Sequence, residues 1–533
     1  MIRERTDPLG SAVTNDEEVP ATSQRLWESL PGMLSWLVVL SPIWVTMISP
    51  AMGLAVVVLA TIYFFIRASL YGPRALTNRM KLLTTGNEDW LAKLKQTQEE
   101  NELSWRSDEI LDWRACRVTL LIRAYRERNV AMLRATLQSV VDSNWPRVDS
   151  NWPREDGELG NVEVLFATEA DDPFTPPIVD QLAAEFAGRL AVRQVKHPEE
   201  PGTLPGPSTA MNYVGRALYR EAVREGFSPR HWIVADFDAD TLFHSQYLPC
   251  LVYHYVTDPS RDKRAYQPVV LFTTDYWKAP LHSRLSAIGS SVLTLGWIRS
   301  KPEIAFTGAA ASLAAIHAAG YWPTNSHSQD SGIEMRFRML YGRSFRVKGM
   351  PVPLWVYPVM PMGPQTTWKE RALTYWRSYQ ALFRQSARWR EGPMDEFVEA
   401  SSRGYVWIAL QRLWNGLERD TLTILPSYGL LAVMVLANPL RLGDAVAVVK
   451  LAETVGFTAV SLLGLVVFWK VLGTREFIRG RDRRPARRLL ELFFFWCVIS
   501  LYVPLFTSVA GLKTSTAYAL GKRPRGHFMP TPK

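Results

Sequence analysis

The chain has 533 residues, 47% of them hydrophobic and 21% charged, with 20 Trp and a mean hydropathy of −0.06. This composition excludes wholesale disorder, and it also excludes a bundle embedded throughout its length in lipid. Three widely spaced cysteines, Cys116, Cys250 and Cys497, give neither a disulfide framework nor a zinc spacing, and the net charge of +10 is a modest basic excess.

Residues 1–32 read as a polar N-terminal tail. Residues 33–49 and 51–67 are apolar and uncharged until Arg67, each about the minimum length to span a bilayer, with Pro50 between them, so 33–71 is expected to form a transmembrane hairpin. The run begins too late and is too long for a signal peptide. Residues 72–115 are charged and helical in pattern, a connector on the membrane surface.

From there the pattern alternates. VTLLI (118–122), VEVLFAT (162–168), LAVRQV (190–195) and HWIVADF (231–237) read as buried strands, and the segments 129–141, 178–188 and 209–223 as helices between them. The expected fold is α/β, a Rossmann-like, mostly parallel, doubly wound sheet whose ligands sit at the carboxyl ends of the strands. The duplicated heptads DSNWPRV and DSNWPRE (142–155) read as a neutral loop insertion.

The strand ends are acidic. The fourth is followed by DFDADTLF, where Asp238 and Asp240 are two apart and suit a hard divalent cation such as Mg²⁺ or Mn²⁺. The second is followed by Glu169, Asp171 and Asp172, and the first by Tyr125 and Glu127. Downstream, Gln329 and Asp330 open a helix, where Asp330 is either a cap or a general base. Gln385, Arg388 and Trp389 share one helical face in 376–392, suited either to phosphate and sugar contacts or to lipid headgroups.

The amphipathic segments 280–299 and 396–418 are expected at the membrane interface, the second forming an interfacial helix over 396–420. Apolar runs at 422–440, 454–472 and 489–511 place further transmembrane helices in 421–520. The arginine-rich loop between the last two runs is cytoplasmic by the positive-inside rule, which puts the middle region on the same side. A simple fifth span would send the basic tail 521–533 outside, so either 489–520 doubles back or the tail is an exception. The basic excess lies beside the spans and no nucleic-acid recognition motif is present, so membrane lipids rather than nucleic acid are the expected partner.

Taken together, residues 116–395 resemble the GT-A catalytic domain of membrane-bound family 2 glycosyltransferases, the group of cellulose, chitin and hyaluronan synthases. IRAYRERN resembles the Pro-x-Tyr-Asn-Glu element, with Arg123 at the Pro position and Arg126 at the Asn. TEADDPFT is similar to the uridine-binding segment, DADTLF to the metal-binding Asp-x-Asp, and FTGAA (306–310) to the acceptor segment, keeping Gly308. Ser328-Gln329-Asp330 stands at Thr-Glu-Asp, QSARW matches Gln-x-x-Arg-Trp, and HFMPTPK resembles the Trp-x-x-Thr-Pro-Lys ending. Pro207 replaces a phosphate-contacting Lys, Gln329 replaces Glu, and Ala309 or Ala310 replaces a hydroxyl residue.

The resemblance implies an inverting hexosyltransferase of a bacterial plasma membrane with its catalytic domain in the cytoplasm. It implies a nucleotide-sugar donor, UDP-linked, and a growing glycan or a lipid-linked acceptor, with export or regulatory subunits as further partners. Asp330 would be the base and Asp238 and Asp240 the metal ligands. Tyr125, Glu127, Glu169, Asp171, Asp238, Gln385, Arg388 and Trp389 would contact the donor, and Gly308 and Trp389 the acceptor. A catalytically silent scaffold of the same fold is the alternative from another class.

Overall fold

The computed structural model describes residues 21–102, 110–146, 161–198, 206–297, 307–361 apart from 327, 363, 366–436 apart from 423, scattered positions between 447 and 479, and 508–521. The second copy of the duplicated heptad, Phe306, most of the arginine-rich loop, nearly all of the run 489–511 and the HFMPTPK tail lie outside the described residues.

Two long helices come first, α1 (Ala21–Ile48) and α2 (Pro50–Thr85). The first begins at Ala21, inside the segment read as a polar tail. Ser49 separates the two: its backbone is extended, its side chain accepts from the Met52 N–H, and Pro50 occupies the first helical turn, where its missing N–H costs nothing. By length and composition both helices could cross a membrane, and most of the apolar surface of each is uncovered by protein. The C-terminal half of α2 is different. Ala75 and Leu82 are buried against the domain, and Asn78 Nδ2 donates to the Leu295 carbonyl at 2.7 Å. The connector is therefore a continuation of α2 followed by α3 (Trp90–Glu102).

The middle region is a mixed α/β fold. Its strands are β1 (Arg117–Arg123), β2 (Val162–Glu169), β3 (Ala191–His197), β4 (Trp232–Asp238), β5 (Leu242–Phe243), β6 (Arg264–Leu271), β7 (Ala310–Ser312) and β8 (Arg346–Trp355), in one eight-stranded sheet of order β3-β2-β1-β4-β7-β6-β8-β5. The half β3-β2-β1-β4 is wholly parallel, and β7 runs antiparallel to both β4 and β6. Parallel strands are covered on both faces, which is why they are apolar nearly throughout: Leu120, Leu121 and Ile122 are fully buried, as are Val164 and Phe166.

The connecting helices cover the two faces. Helix α4 (Val130–Val141) turns Met132, Leu133, Leu137 and Val140 into one core, and α6 (Pro207–Glu225) turns Met211, Val214 and Leu218 into the other. Between β3 and α6 the cap is Gly206, at φ +147, with Pro207 next in the first turn. On the same chain follow α5 (Thr175–Phe186), α7 (Tyr247–Val256), α8 (Leu281–Trp297) and α9 (Leu313–Ala318). Helix α8, expected at the membrane interface, lies against β6 and α2, and protein covers its Leu285, Ala287, Ile288 and Leu295.

The C-terminal part begins with α10 (Gln329–Tyr341) and α11 (Trp368–Ser402), the latter opened by a reciprocal capping box between Thr367 and Glu370. The expected interfacial helix over 396–420 is broken. Helix α11 ends at Ser402, Gly404 takes φ +77, and α12 (Val406–Leu417) starts afresh. Helix α12 exposes Trp407, Leu410 and Trp414 and buries Ala409 and Arg412. After α13 (Leu430–Leu436), α14 (Val509–Ala519) lies between α1 and α11: Trp36 Nε1 donates to Thr516 Oγ1 at 2.8 Å and Tyr518 OH to Asp395 Oδ1 at 2.6 Å.

Candidate active site

The parallel register sets the site. Arg123, the last residue of β1, stands opposite Asp238, the last of β4. Its guanidinium is almost fully buried and faces three carboxylates: Nη2 is 2.7 Å from Asp238 Oδ1, Nε 3.5 Å from Asp236 Oδ1, and Nη1 3.6 Å from Asp330 Oδ1. Burial opposes the charge on Arg123, but the three carboxylates more than offset it and raise its pKa. Arg123 drew notice in the sequence only as a departure from a family pattern, and Asp236 only as a neighbour of Asp238. Only the strand register reveals that the two belong together.

Asp330 reaches this cluster from the first turn of α10. The cap of that helix is Ser328, whose side chain makes no capping bond, so Asp330 is not the cap and its carboxyl turns inward instead. Burial pushes the Asp330 pKa well above the usual carboxylate range; Arg123 opposes this, and the charges of Asp236 and Asp238 add to it. Asp236 is pushed up to about 6, first by burial, with Arg123 opposing and Asp238 adding. Both carboxyl groups are ion-paired with the one guanidinium, and like charges gathered on a single partner favour a shared proton.

The fourth side of the cluster is α11. Arg388 is half-buried, the loss of solvation lowers its pKa, and Asp238 and Asp330 lie close enough to oppose that shift. Gln385 and Trp389 lie half-buried on the same helix. A close approach brings this face to α10. A Cβ on Gly392, one turn beyond Arg388, would collide with Ser328 Oγ and lie 3.3 Å from Ser331 Oγ. Beyond it, a buried ionic network ties α10, α11 and α12 together: Arg412 Nε is 2.8 Å from Glu396 Oε2, Arg412 Nη2 is 3.9 Å from Glu334 Oε1, and Arg336 Nη2 is 3.6 Å from Glu399 Oε1.

Behind β4, the Gly308 segment is a structural brace. Asp236 N–H donates to the Ala309 carbonyl at 2.9 Å, Gly308 N–H donates to the Asp236 carbonyl at 2.6 Å, and Asp238 N–H donates to Thr307 Oγ1 at 2.9 Å. Gly308 holds φ +91, and a Cβ there would meet Leu354 Cδ1 at 2.5 Å.

The β2 end is arranged differently. Glu169 is paired with buried His197 at 2.8 Å. Asp171 Oδ2 accepts from Tyr125 OH and from Arg126 Nη2, each at 3.2 Å. Asp172 accepts from the Phe174 and Thr175 N–H groups and so shapes the start of α5. Glu127 N–H donates to Thr175 Oγ1 at 2.9 Å. These residues form a second acidic group beside the first, at the mouth of the same parallel strands.

For a divalent cation, Asp238 and Asp240 offer the hard oxygen donors that Mg²⁺ and Mn²⁺ take. Asp240 is buried, and its Oδ2 accepts from the Tyr357 N–H at 3.2 Å. Among the described residues no group of three His, Cys, Asp or Glu side chains could hold a metal. Two carboxylates alone would leave most of such an ion's shell to be completed by ligand oxygens.

No family model and no curated protein sequence matches the chain. Among solved structures, it is similar to the mannosyltransferase PcManGT from Pyrobaculum calidifontis in complex with GDP-Man and Mn²⁺, at 16% identity and a TM-score of 0.40, over 84% of this chain and 99% of that one. It is also similar to GalNAc-T7 with UDP, GalNAc and Mn²⁺, at 11% identity and a TM-score of 0.31, over 56% and 57%. At these scores the likeness assigns no residue of this chain a role.

Proposed function

We propose that the chain is a membrane-embedded, inverting glycosyltransferase of family 2 type that moves a sugar from a nucleotide-sugar donor, UDP-linked, to a growing polysaccharide. The observation that carries this reading is the meeting of Asp330, from a helix start, with Asp236 and Asp238, from a strand end, around Arg123 and within the field of Arg388. The motifs that resemble the family's come from segments as far apart in the chain as those of Arg123 and Arg388, yet supply this one cluster.

In this reading the donor lies across the ends of β1, β2 and β4, its base near Tyr125, Glu169 and Asp171. Asp238 and Asp240 would hold Mg²⁺ or Mn²⁺, which supplies Lewis-acid stabilisation of a leaving diphosphate. Asp330 takes the proton from an acceptor hydroxyl, and the hydroxyl oxygen bonds to the anomeric carbon as the bond to the diphosphate breaks on the opposite face. Asp236 keeps the pKa of Asp330 high, which strengthens it as a base. Arg388 offsets the charge that develops on the diphosphate, and Trp389 supports the acceptor ring. Helices α1 and α2 and the exposed Trp407, Leu410 and Trp414 of α12 would seat the domain on lipid.

The test is nucleotide release from a panel of UDP- and GDP-sugars by the full-length protein in lipid nanodiscs. One donor is expected to give metal-dependent release, and Asp330→Asn to lower turnover by roughly 10²-fold or more while nucleotide binding persists. Wild-type turnover in that variant would remove Asp330 as the base.

A further inference from the structure

Two demands meet on one carboxylate. The proposed function assigns Asp238 to a divalent cation, and its Oδ1 already lies 2.7 Å from Arg123 Nη2. This contact is built into the backbone. Arg123 and Asp238 are register partners on adjacent parallel strands, so their Cα atoms cannot drift apart without unzipping the centre of the sheet. The guanidinium is also held on its other edges by Asp236 at 3.5 Å and Asp330 at 3.6 Å. A divalent ion within bonding distance of Asp238, whose side chain is 39% exposed, would sit close to that fixed positive charge. The two cations would repel, and the ion would draw charge from a short, charge-assisted hydrogen bond.

A nucleoside diphosphate alters that balance. It brings anionic oxygens that complete a coordination shell, and negative charge that offsets the repulsion between the metal and the guanidinium. Resting on the sugar-transfer reading above, we propose that Arg123 is a resident cation that competes with divalent metal for Asp238. Metal then binds well only together with the nucleotide. Arg123 is a positioning residue in this scheme: while metal occupies Asp238, its contacts to Asp236 and Asp330 persist, so the same side chain spans the donor side and the base side of the site.

The experiment is titration of Mn²⁺ onto the full-length protein in nanodiscs, followed by the electron paramagnetic resonance signal of free Mn²⁺, with no nucleotide, with UDP and with GDP. In the wild type, one nucleotide is expected to tighten Mn²⁺ binding by ~10-fold or more. Arg123→Gln is expected to bind Mn²⁺ without nucleotide ~10-fold more tightly than wild type, because the competing charge is gone. Arg123→Lys keeps the charge and is expected to stay within about 3-fold of wild type.

An unchanged or weaker Mn²⁺ affinity in a folded Arg123→Gln overturns the proposal, as does a lysine variant that matches the glutamine one. If the glutamine variant does not fold, the wild type decides alone: equal Mn²⁺ affinity with and without a nucleotide that binds would overturn it. Failure of both UDP and GDP to bind would instead count against the sugar-transfer reading, and the metal-only comparison of the variants would still judge Arg123.

Discussion

Gly392 of α11 and Ser328 of α10 approach so closely that a Cβ on the glycine would lie 2.5 Å from the serine Cβ. This contact sets the distance between the helix that carries Arg388 and the helix that carries Asp330. The glycine is needed here for close approach rather than for an unusual backbone angle. Its neighbour Pro393 has no N–H to give the Trp389 carbonyl, so the helix is held in this stretch by its packing partners more than by its own ladder.

Gly392→Leu is therefore expected to push α11 away from α10. Turnover should fall by about 10²-fold, since a displacement on the order of 1 Å is enough for that. The buried ion pairs of Arg412 with Glu396 and of Arg336 with Glu399 should keep the fold, with a loss of about 1–3 kcal/mol from overpacking. Turnover and a melting curve on the same preparation check both parts.

Asp236→Asn should move the acidic limb of the pH–rate profile to lower pH. In the wild type, the charge of Asp236 adds to burial in raising the Asp330 pKa. An amide at this position removes the like charge and can donate to the Asp330 carboxylate, so the base loses its proton at lower pH. The pH dependence of kcat in variant and wild type gives the comparison, and a limb that stays in place would contradict it.

Gly308→Ala should destabilise the domain by about 1–3 kcal/mol, because alanine at φ +91 is strained and its Cβ would collide with Leu354 and Pro268. The strain falls on the loop that accepts from the Asp236 N–H and donates to its carbonyl. Activity should thus drop together with the melting temperature. A silent substitution would show that this brace is dispensable.

Acid should loosen the fold through buried histidines. Burial pushes His254 down to about 3 and His244 to about 4, with nearby lysines or arginine acting in the same direction. An unfolded chain takes up protons on these rings near pH 6.5, and the folded one does so only at its lower values. The unfolded state thus binds more protons in that window, and stability should fall as pH drops from about 6.5 towards 4. Melting temperatures across that range test this, and His254→Gln should flatten part of the slope.

Strands β1, β2 and β4 of the parallel half could be read directly from the sequence because burial on both faces makes each a nearly continuous apolar run, whereas β3, at the sheet edge, is half-buried and carries Arg193 and Gln194. The other half could not. Pro268 interrupts β6 where its pairing with β8 shifts register, and Pro351 and Pro353 interrupt β8, so neither carries a clean strand pattern. Strands β5 and β7 have only two and three residues, too few for any periodicity. The break between α11 and α12 did leave a trace, in Gly404, within an amphipathic pattern that otherwise continues.

The sequence by itself determined the residue types and their order: acidic groups after apolar strands, an aspartate opening a helix, and an arginine and a tryptophan one position apart on another. Those are local properties, fixed by burial and helical spacing. Which of these groups would face one another was decided only by the tertiary structure. It turned Glu169 to His197 and Asp330 away from the cap, and it placed Arg123 among three carboxylates. Strand register and the close approach of two helices are long-range relations, and no local spacing encodes them.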